Sequence, residues 1–151
     1  MLSAPETLVL ESFGLCVLAF VAIVALHLVG LHVSIRLFHM KFNVGNIHSL
    51  PQHRAMIVIL AAMMLLFGLH MMTNFAWGLF MHAAGALPTY REGVYYSLEN
   101  YTALGLTRVD VDDRWRMLAP MISMSGVFCL SWSTALLVSF FGQIYRIRPN
   151  G

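Results

Sequence analysis

The charged side chains that could carry chemistry are concentrated in one short segment of a chain that is otherwise apolar. Six of them lie close together: Arg108, Asp110, Asp112, Asp113, Arg114 and Arg116. Before them come Glu99 and then Thr102, Ala103, Leu104, Gly105, Leu106 and Thr107. No nucleophile with a base, no paired carboxylates and no metal cluster form a plausible constellation at membrane depth, so we predict no catalytic residues and no enzyme. The function that these charged side chains could still serve is to attract or repel ions.

Seven histidines are a second set of side chains that could bind a metal or a proton. They are His27, His32, His39, His48, His53, His70 and His82. No two of them are three or four residues apart, the separation that would place two imidazoles on one face of a helix. We therefore expect most of them to pack or to form hydrogen bonds between helices, and we predict no metal site and no cofactor. Gating by protonation of His48 or His53 is a separate hypothesis.

The composition indicates what surrounds the chain. Of its 151 residues, 59% are hydrophobic and 11% are charged, which is too apolar for a soluble domain of this size. Three stretches lack Asp, Glu, Lys and Arg: residues 12–35, 55–90 and 117–145. Each is longer than the roughly 20 residues that a helix needs to cross a bilayer. We predict an all-α membrane protein with three transmembrane helices, membrane lipids as its surroundings, and neither nucleic acid nor a soluble protein as its partner.

The placement of basic residues predicts the orientation of these spans. The N-terminal helix, residues 1–38, is followed by a loop at 39–54, and Arg36, Lys41 and Arg54 lie at or within this connection. The tail, residues 146–151, carries two further arginines. Basic residues favour the cytoplasmic side, so we expect the N-terminus outside and the C-terminus inside a cell membrane. The opening residues do not match a cleaved signal peptide, and we expect the first span to be retained.

The two cysteines, Cys16 and Cys129, fall within the first and third spans. We expect them to pack as small apolar residues and not to form a disulfide. Methionine pairs such as Met63 and Met64 are likewise expected to pack in apolar spans and not to bind copper.

The segment between the second and third spans has an unusual length. Residues 92–104 are too few to cross a bilayer, yet they include Val94, Tyr95, Leu98 and Tyr101, which are too apolar for an exposed loop. This length favours a re-entrant helix. Backbone at membrane depth is tolerated only where protein covers it or where it lines a water-filled cavity, so the pattern indicates a cavity.

The order of these segments resembles the pore module of the potassium-channel superfamily, and most closely its small bacterial members with two transmembrane helices. The resemblance rests on YSLENYTALGL at residues 96–106, WRMLAP at 115–120, Gly126, and WSTA at 132–135. It covers about residues 55–142, with the first span as an addition. The resemblance implies an outer helix at 55–84, a pore helix and filter at 91–108, an inner helix at 118–145, and a homotetramer that conducts monovalent ions such as potassium. Gly126 would be a hinge or a close-packing site of the inner helix.

The filter departs from the family pattern, in which Thr-Val-Gly-Tyr-Gly is usually followed by Asp. The corresponding residues here are Ala103, Leu104, Gly105, Leu106, Thr107 and Arg108. A single filter glycine is kept, and this predicts altered or weak cation selectivity. Glu99, Arg108 and Asp110 would support the filter or lie at its outer mouth. Arg108 either pairs with Glu99 or faces water among the aspartates.

Three functions remain open at this point. The first is a pore-loop channel subunit with a degenerate filter. The second is a non-conducting channel homologue whose filter has collapsed and which serves as a structural or regulatory membrane partner. The third is a pore for an anion or a small solute, in which Arg108 selects the permeant species.

Overall fold

The computed structural model describes residues 4–42, 51–105 and 109–145. Within these ranges the chain is all-α, without strands, as predicted. Its helices are α1 (Ala4–Phe42), α2 (Gln52–Ala83), α3 (Tyr90–Tyr101) and α4 (Leu118–Tyr145). A 3₁₀ turn at Asp113–Trp115 precedes α4.

Three helical segments are long and apolar enough to cross a membrane: Thr7–Leu37, His53–Ala83 and Asp113–Gly142. Many of their outward side chains are large and hydrophobic, such as Leu10 on α1, Phe67 on α2 and Val127 on α4. A soluble protein rarely exposes such continuous apolar surface. The prediction of three helices that are long and apolar enough to span a membrane is confirmed.

The helix ends follow the helix-breaking residues of the sequence. We predicted a loop over residues 39–54, but α1 continues to Phe42 and α2 begins at Gln52, so part of that range is helical. Asn43, Gly45 and Pro51 led us to expect the loop, but residues 39–42 contain neither Gly nor Pro and are compatible with a helix. Pro51 precedes the first residue of α2, and Pro120 lies in the first turn of α4, where its missing amide hydrogen costs little.

The long helices pack side by side with alternating direction. His27 and Gly30 of α1 meet Thr73 and Leu69 of α2, respectively, so these two helices are antiparallel. All four elements contribute to one buried cluster. It contains Cys16, Ala19, Ile23, Trp77, Met81, Leu87, Tyr96, Tyr101, Trp115, Leu118, Ile122 and Cys129. Both cysteines are buried and free, as expected.

Candidate pore-loop site

The first turn of α3 is stabilised by a capping box. The Thr89 hydroxyl accepts a hydrogen bond from the Glu92 backbone amide at 3.2 Å and donates one to the Glu92 carboxylate at 2.9 Å. A Thr with a Glu three residues later is the sequence signature of this cap. Helix α3 begins at Tyr90, one residue before the segment 91–108 in which we predict a pore helix and filter.

Glycines and a polar pair join α3 to α2. A Cβ added to Gly93 would lie 2.8 Å from the backbone oxygen of Gly78, so the two helices touch backbone to backbone. One turn further along α3, the Ser97 hydroxyl donates to Oδ1 of Asn74 at 2.8 Å. The Asn74 amide nitrogen donates to the His70 carbonyl at 2.9 Å. Each of these buried polar groups therefore has a partner, as burial requires.

The last residue of α3 extends this antiparallel packing. The Tyr101 hydroxyl lies 2.9 Å from Nδ1 of His70. His70 precedes the end of α2 at Ala83 by a distance of about 20 Å along the helix axis, at about 1.5 Å per residue. Residues 90–101 thus run from the end of α2 back along roughly half of its length.

The same end of α3 is pressed against α4. A Cβ on Gly126 would overlap the carbonyl oxygen of Tyr101, so only glycine fits at this contact. The Ser123 hydroxyl donates to the Asn100 carbonyl at 2.8 Å. We expected Gly126 to be either a close-packing site or a hinge of the inner helix. Its contact with α3 is a packing contact. A hinge there stays a prediction.

The residues after α3 have an unusual backbone. Ala103 has φ 58° and Gly105 has φ 64°, whereas Leu104 between them does not have positive φ. Their amides remain tied to α3, because Ala103 N donates to the Asn100 carbonyl at 2.8 Å and Gly105 N to that of Glu99 at 3.3 Å. Left-handed backbone costs a non-glycine residue about 1–2 kcal/mol.

The side chains of this loop face outward in the single chain. Thr102, Ala103 and Leu104 are exposed, Leu104 to 63% of its surface. The predicted filter residues Leu106, Thr107 and Arg108 lie outside the described residues. Glu99 is half-buried on α3, and Asp110 is exposed. The predicted pairing of Glu99 with Arg108 therefore stays a prediction.

The charged segment returns the chain to the level at which α3 begins. The Asp112 carboxylate accepts a hydrogen bond from the Arg114 amide at 3.0 Å and so starts the 3₁₀ turn. Trp115 is 3% exposed, and its ring meets the edge of Phe80 with centroids 6.4 Å apart. Phe80 lies in the last turn of α2. Trp115 is therefore again near the end of α2 from which α3 starts.

A histidine pair, one ring buried and the other partly buried, lies between α1 and α2 near the end of α3, and the sequence analysis missed it. The rings of His27 on α1 and His70 on α2 have centroids 4.9 Å apart and are tilted by 38°. We tested only separations of three and four residues, which find pairs on one helix, whereas this pair joins two helices. Hydrogen bonds between helices were expected, and both rings form one. His53 is exposed, and His48 lies outside the described residues.

The carbonyl oxygens of residues 102–105 accept no backbone hydrogen bond from the described residues. In the described part of the chain, no three His, Cys, Asp or Glu side chains are grouped so as to hold a metal ion. In comparisons with known proteins, no family model, curated protein or solved structure matches the chain. Backbone carbonyls that share one direction can replace part of the hydration shell of a cation.

Proposed function

We propose that this protein is one subunit of a homotetrameric pore-loop ion channel with weak or altered cation selectivity. The observation that carries the proposal is the course of the chain between α2 and α4. Residues 90–101 run from one end of α2 back to the level of His70, and Trp115 lies against Phe80, near that same end of α2. With α2 across the bilayer, this course is re-entrant.

The depth of the loop supports a water-filled path. Helix α2 has 32 residues and is about 48 Å long, while the hydrocarbon core of a bilayer is about 30 Å thick. With α2 centred in the bilayer, Tyr101 lies about 10 Å inside the hydrocarbon. Unpaired backbone groups cost several kcal/mol each in that region, so residues 102–105 need water or neighbouring protein around them.

Four copies of the chain would surround residues 102–105 with protein and would enclose a water-filled path between them. One chain leaves its loop exposed and cannot surround a pore, whereas a symmetric ring of identical subunits can. An exposed stripe on α4, spaced by three and four residues, includes Met124, Val127, Ser131 and Thr134. In the proposed assembly this stripe lines the inner cavity, and its two hydroxyl groups contact water.

The charges support one orientation in a cell membrane. Arg36 and Arg54 lie near the connection between α1 and α2, and the acids of the 3₁₀ turn lie near the opposite end. The positive-inside rule therefore places the connection and the C-terminus in the cytoplasm. In this orientation α3 enters from the outside, and Asp110 lies at the outer mouth.

The first experiment measures the reversal potential of the purified protein in planar bilayers under separate potassium, sodium and chloride gradients. The proposal predicts a reversal that follows the cations and separates potassium poorly from sodium. A reversal that follows chloride would identify an anion pore with Arg108 as the selecting group. If an intact oligomer carried no current, the protein would be a non-conducting homologue.

A gain-of-selectivity variant sharpens the test. Restoring the family residues by Leu106→Tyr together with Thr107→Gly should raise the preference for potassium over sodium, because glycine permits the backbone angles of the outer ion sites. The matched control is Leu79→Tyr, an exposed position on α2 far from the loop. No gain in the double variant would contradict a pore of the family geometry.

A further inference from the structure

One ring nitrogen of His27 is hydrogen-bonded to α2. His27 is 1% exposed, and its Nδ1 lies 2.8 Å from the Thr73 hydroxyl oxygen. The Thr73 hydroxyl is also 3.0 Å from the Leu69 carbonyl oxygen. When Thr73 donates to Leu69, Nδ1 of His27 donates to Thr73, and Nε2 of the neutral ring keeps a lone pair.

This lone pair has no hydrogen bond. Nε2 of His27 is buried and, among the described residues, lacks a partner. Buried polar atoms of native proteins are nearly always paired, so an unpaired basic nitrogen needs an explanation. A proton is the smallest ligand that such a nitrogen binds.

His70 connects this nitrogen to the pore loop. Its ring stacks on His27 at 4.9 Å, and its Nδ1 contacts the Tyr101 hydroxyl at 2.9 Å. Tyr101 is the last residue of α3 and immediately precedes the loop at 102–105. The contacts thus form one chain from α1 through α2 to the end of α3.

Two further groups on α3 and α4 could influence the histidine pair. Tyr101 faces His70 and also forms a hydrogen bond with Cys129 of α4, a buried thiol. Glu99 is two residues before Tyr101, and side chains two apart lie on different faces of a helix. Glu99 therefore does not face the pair.

The remaining charges are distant along the helices. On α1, Arg36 is about 13 Å from His27 along the axis, and on α2, Arg54 is about 24 Å from His70. The 3₁₀ turn meets α2 at Phe80, about 15 Å from His70. Between Leu118 and Tyr145, α4 carries no Lys, Arg, Asp or Glu. Within the described ranges, no carboxylate would therefore lie next to a proton bound by the pair.

We infer that His27 and His70 form a proton-binding site that couples α1 to the pore loop, so that protonation changes permeation. One ring of the pair can carry a proton, but two adjacent imidazolium rings repel each other. Charging the pair displaces the rings, and Tyr101 moves with His70. This regulatory role rests on the proposed channel function.

The first test measures ion flux through the full-length protein in lipid vesicles at pH 7.5 and pH 4. We expect a change of at least about fivefold in the wild type, the lower range for coupled sites. The variants His27→Gln and Thr73→Val should lose this response, because one removes the base and the other its orientation. His32→Gln, at an exposed position on α1, should keep it. A response that survives in both variants overturns the inference.

The second test separates this inference from channel function. Hydrogen exchange of the Ala103 and Gly105 amides, corrected for the intrinsic effect of pH, reports how firmly the loop is bonded to α3. We expect faster exchange at pH 4 than at pH 7.5 in the wild type and no difference in His27→Gln. In a protein that conducts nothing, this difference would support the proton site while the channel proposal fails. Equal exchange at both pH values overturns the inference.

Discussion

The two ends of α3 are built in different ways, and the first end depends on its own sequence. After α2, Gly85 takes φ 69°, and Ala86 N donates to the Met81 carbonyl at 2.9 Å. Thr89 and Glu92 then cap the new helix. Each of these bonds joins residues at most five positions apart. The hydrogen bonds of this end are therefore local, although Gly93 also packs on Gly78 of α2.

The second end depends on other helices. Tyr101 contacts His70 of α2, and its backbone lies on Gly126 of α4. In the loop that follows, Ala103 and Gly105 both have positive φ. Within the described ranges, no backbone amide donates to the carbonyl oxygens of residues 102–105. Changes in α2 and α4 should therefore alter the loop, while changes at the first end should alter only stability.

The largest expected effect comes from filling the space between α3 and α4. Gly126→Ala places a methyl group on the Tyr101 carbonyl and should destabilise the protein by about 3 kcal/mol, the upper range for overpacking. Gly142→Ala on the same helix meets nothing within 4 Å and is the control. Thermal unfolding in detergent compares them. Equal melting temperatures would show that α3 does not rest on α4.

A smaller effect is expected from the polar contact between α2 and α3. Ser97→Ala leaves Oδ1 of Asn74 buried without its donor and should cost about 2 kcal/mol. Ser131→Ala, which removes a hydroxyl bonded within its own helix at an exposed position, should change stability by less than about 0.5 kcal/mol. Unfolding measurements compare the free energy of unfolding of each variant with that of the wild type. A larger loss in the Ser131 variant would contradict this packing.

The smallest effect on stability is expected at the first end of α3. Thr89→Ala removes the cap and should cost about 1 kcal/mol without changing the reversal potential. Thr89→Ser keeps the hydroxyl and should retain most of the stability. A changed reversal potential in Thr89→Ala would mean that the two ends are not independent.

The sequence predicts most of the long helices, because their signals are local. An uncharged run longer than a bilayer requires is visible in composition alone, and the predicted inner helix at 118–145 matches α4. The cap formed by Thr89 and Glu92 is also a local signal, because the two residues are three positions apart. The re-entrant course of α3 through the bilayer and the tetramer remain predictions.

The contacts of the candidate site could not be predicted in this way. The pairing of His27 with His70 depends on how α1 packs on α2, and no spacing within one helix reports that. The left-handed conformation of Ala103 is likewise imposed by its surroundings, since alanine does not prefer it. Gly126 was singled out, but its contact with Tyr101 required the fold.

The central claim, that residues 102–105 control permeation, is tested most directly with two matched glycine variants. Gly105 and Gly85 have φ 64° and 69°, and both have open space where a Cβ would stand. Alanine should therefore cost a similar amount, about 1–2 kcal/mol, at either position. We predict that Gly105→Ala shifts the reversal potential under a potassium–sodium gradient and that Gly85→Ala does not. Equal reversal potentials in the wild type and both variants would contradict the account.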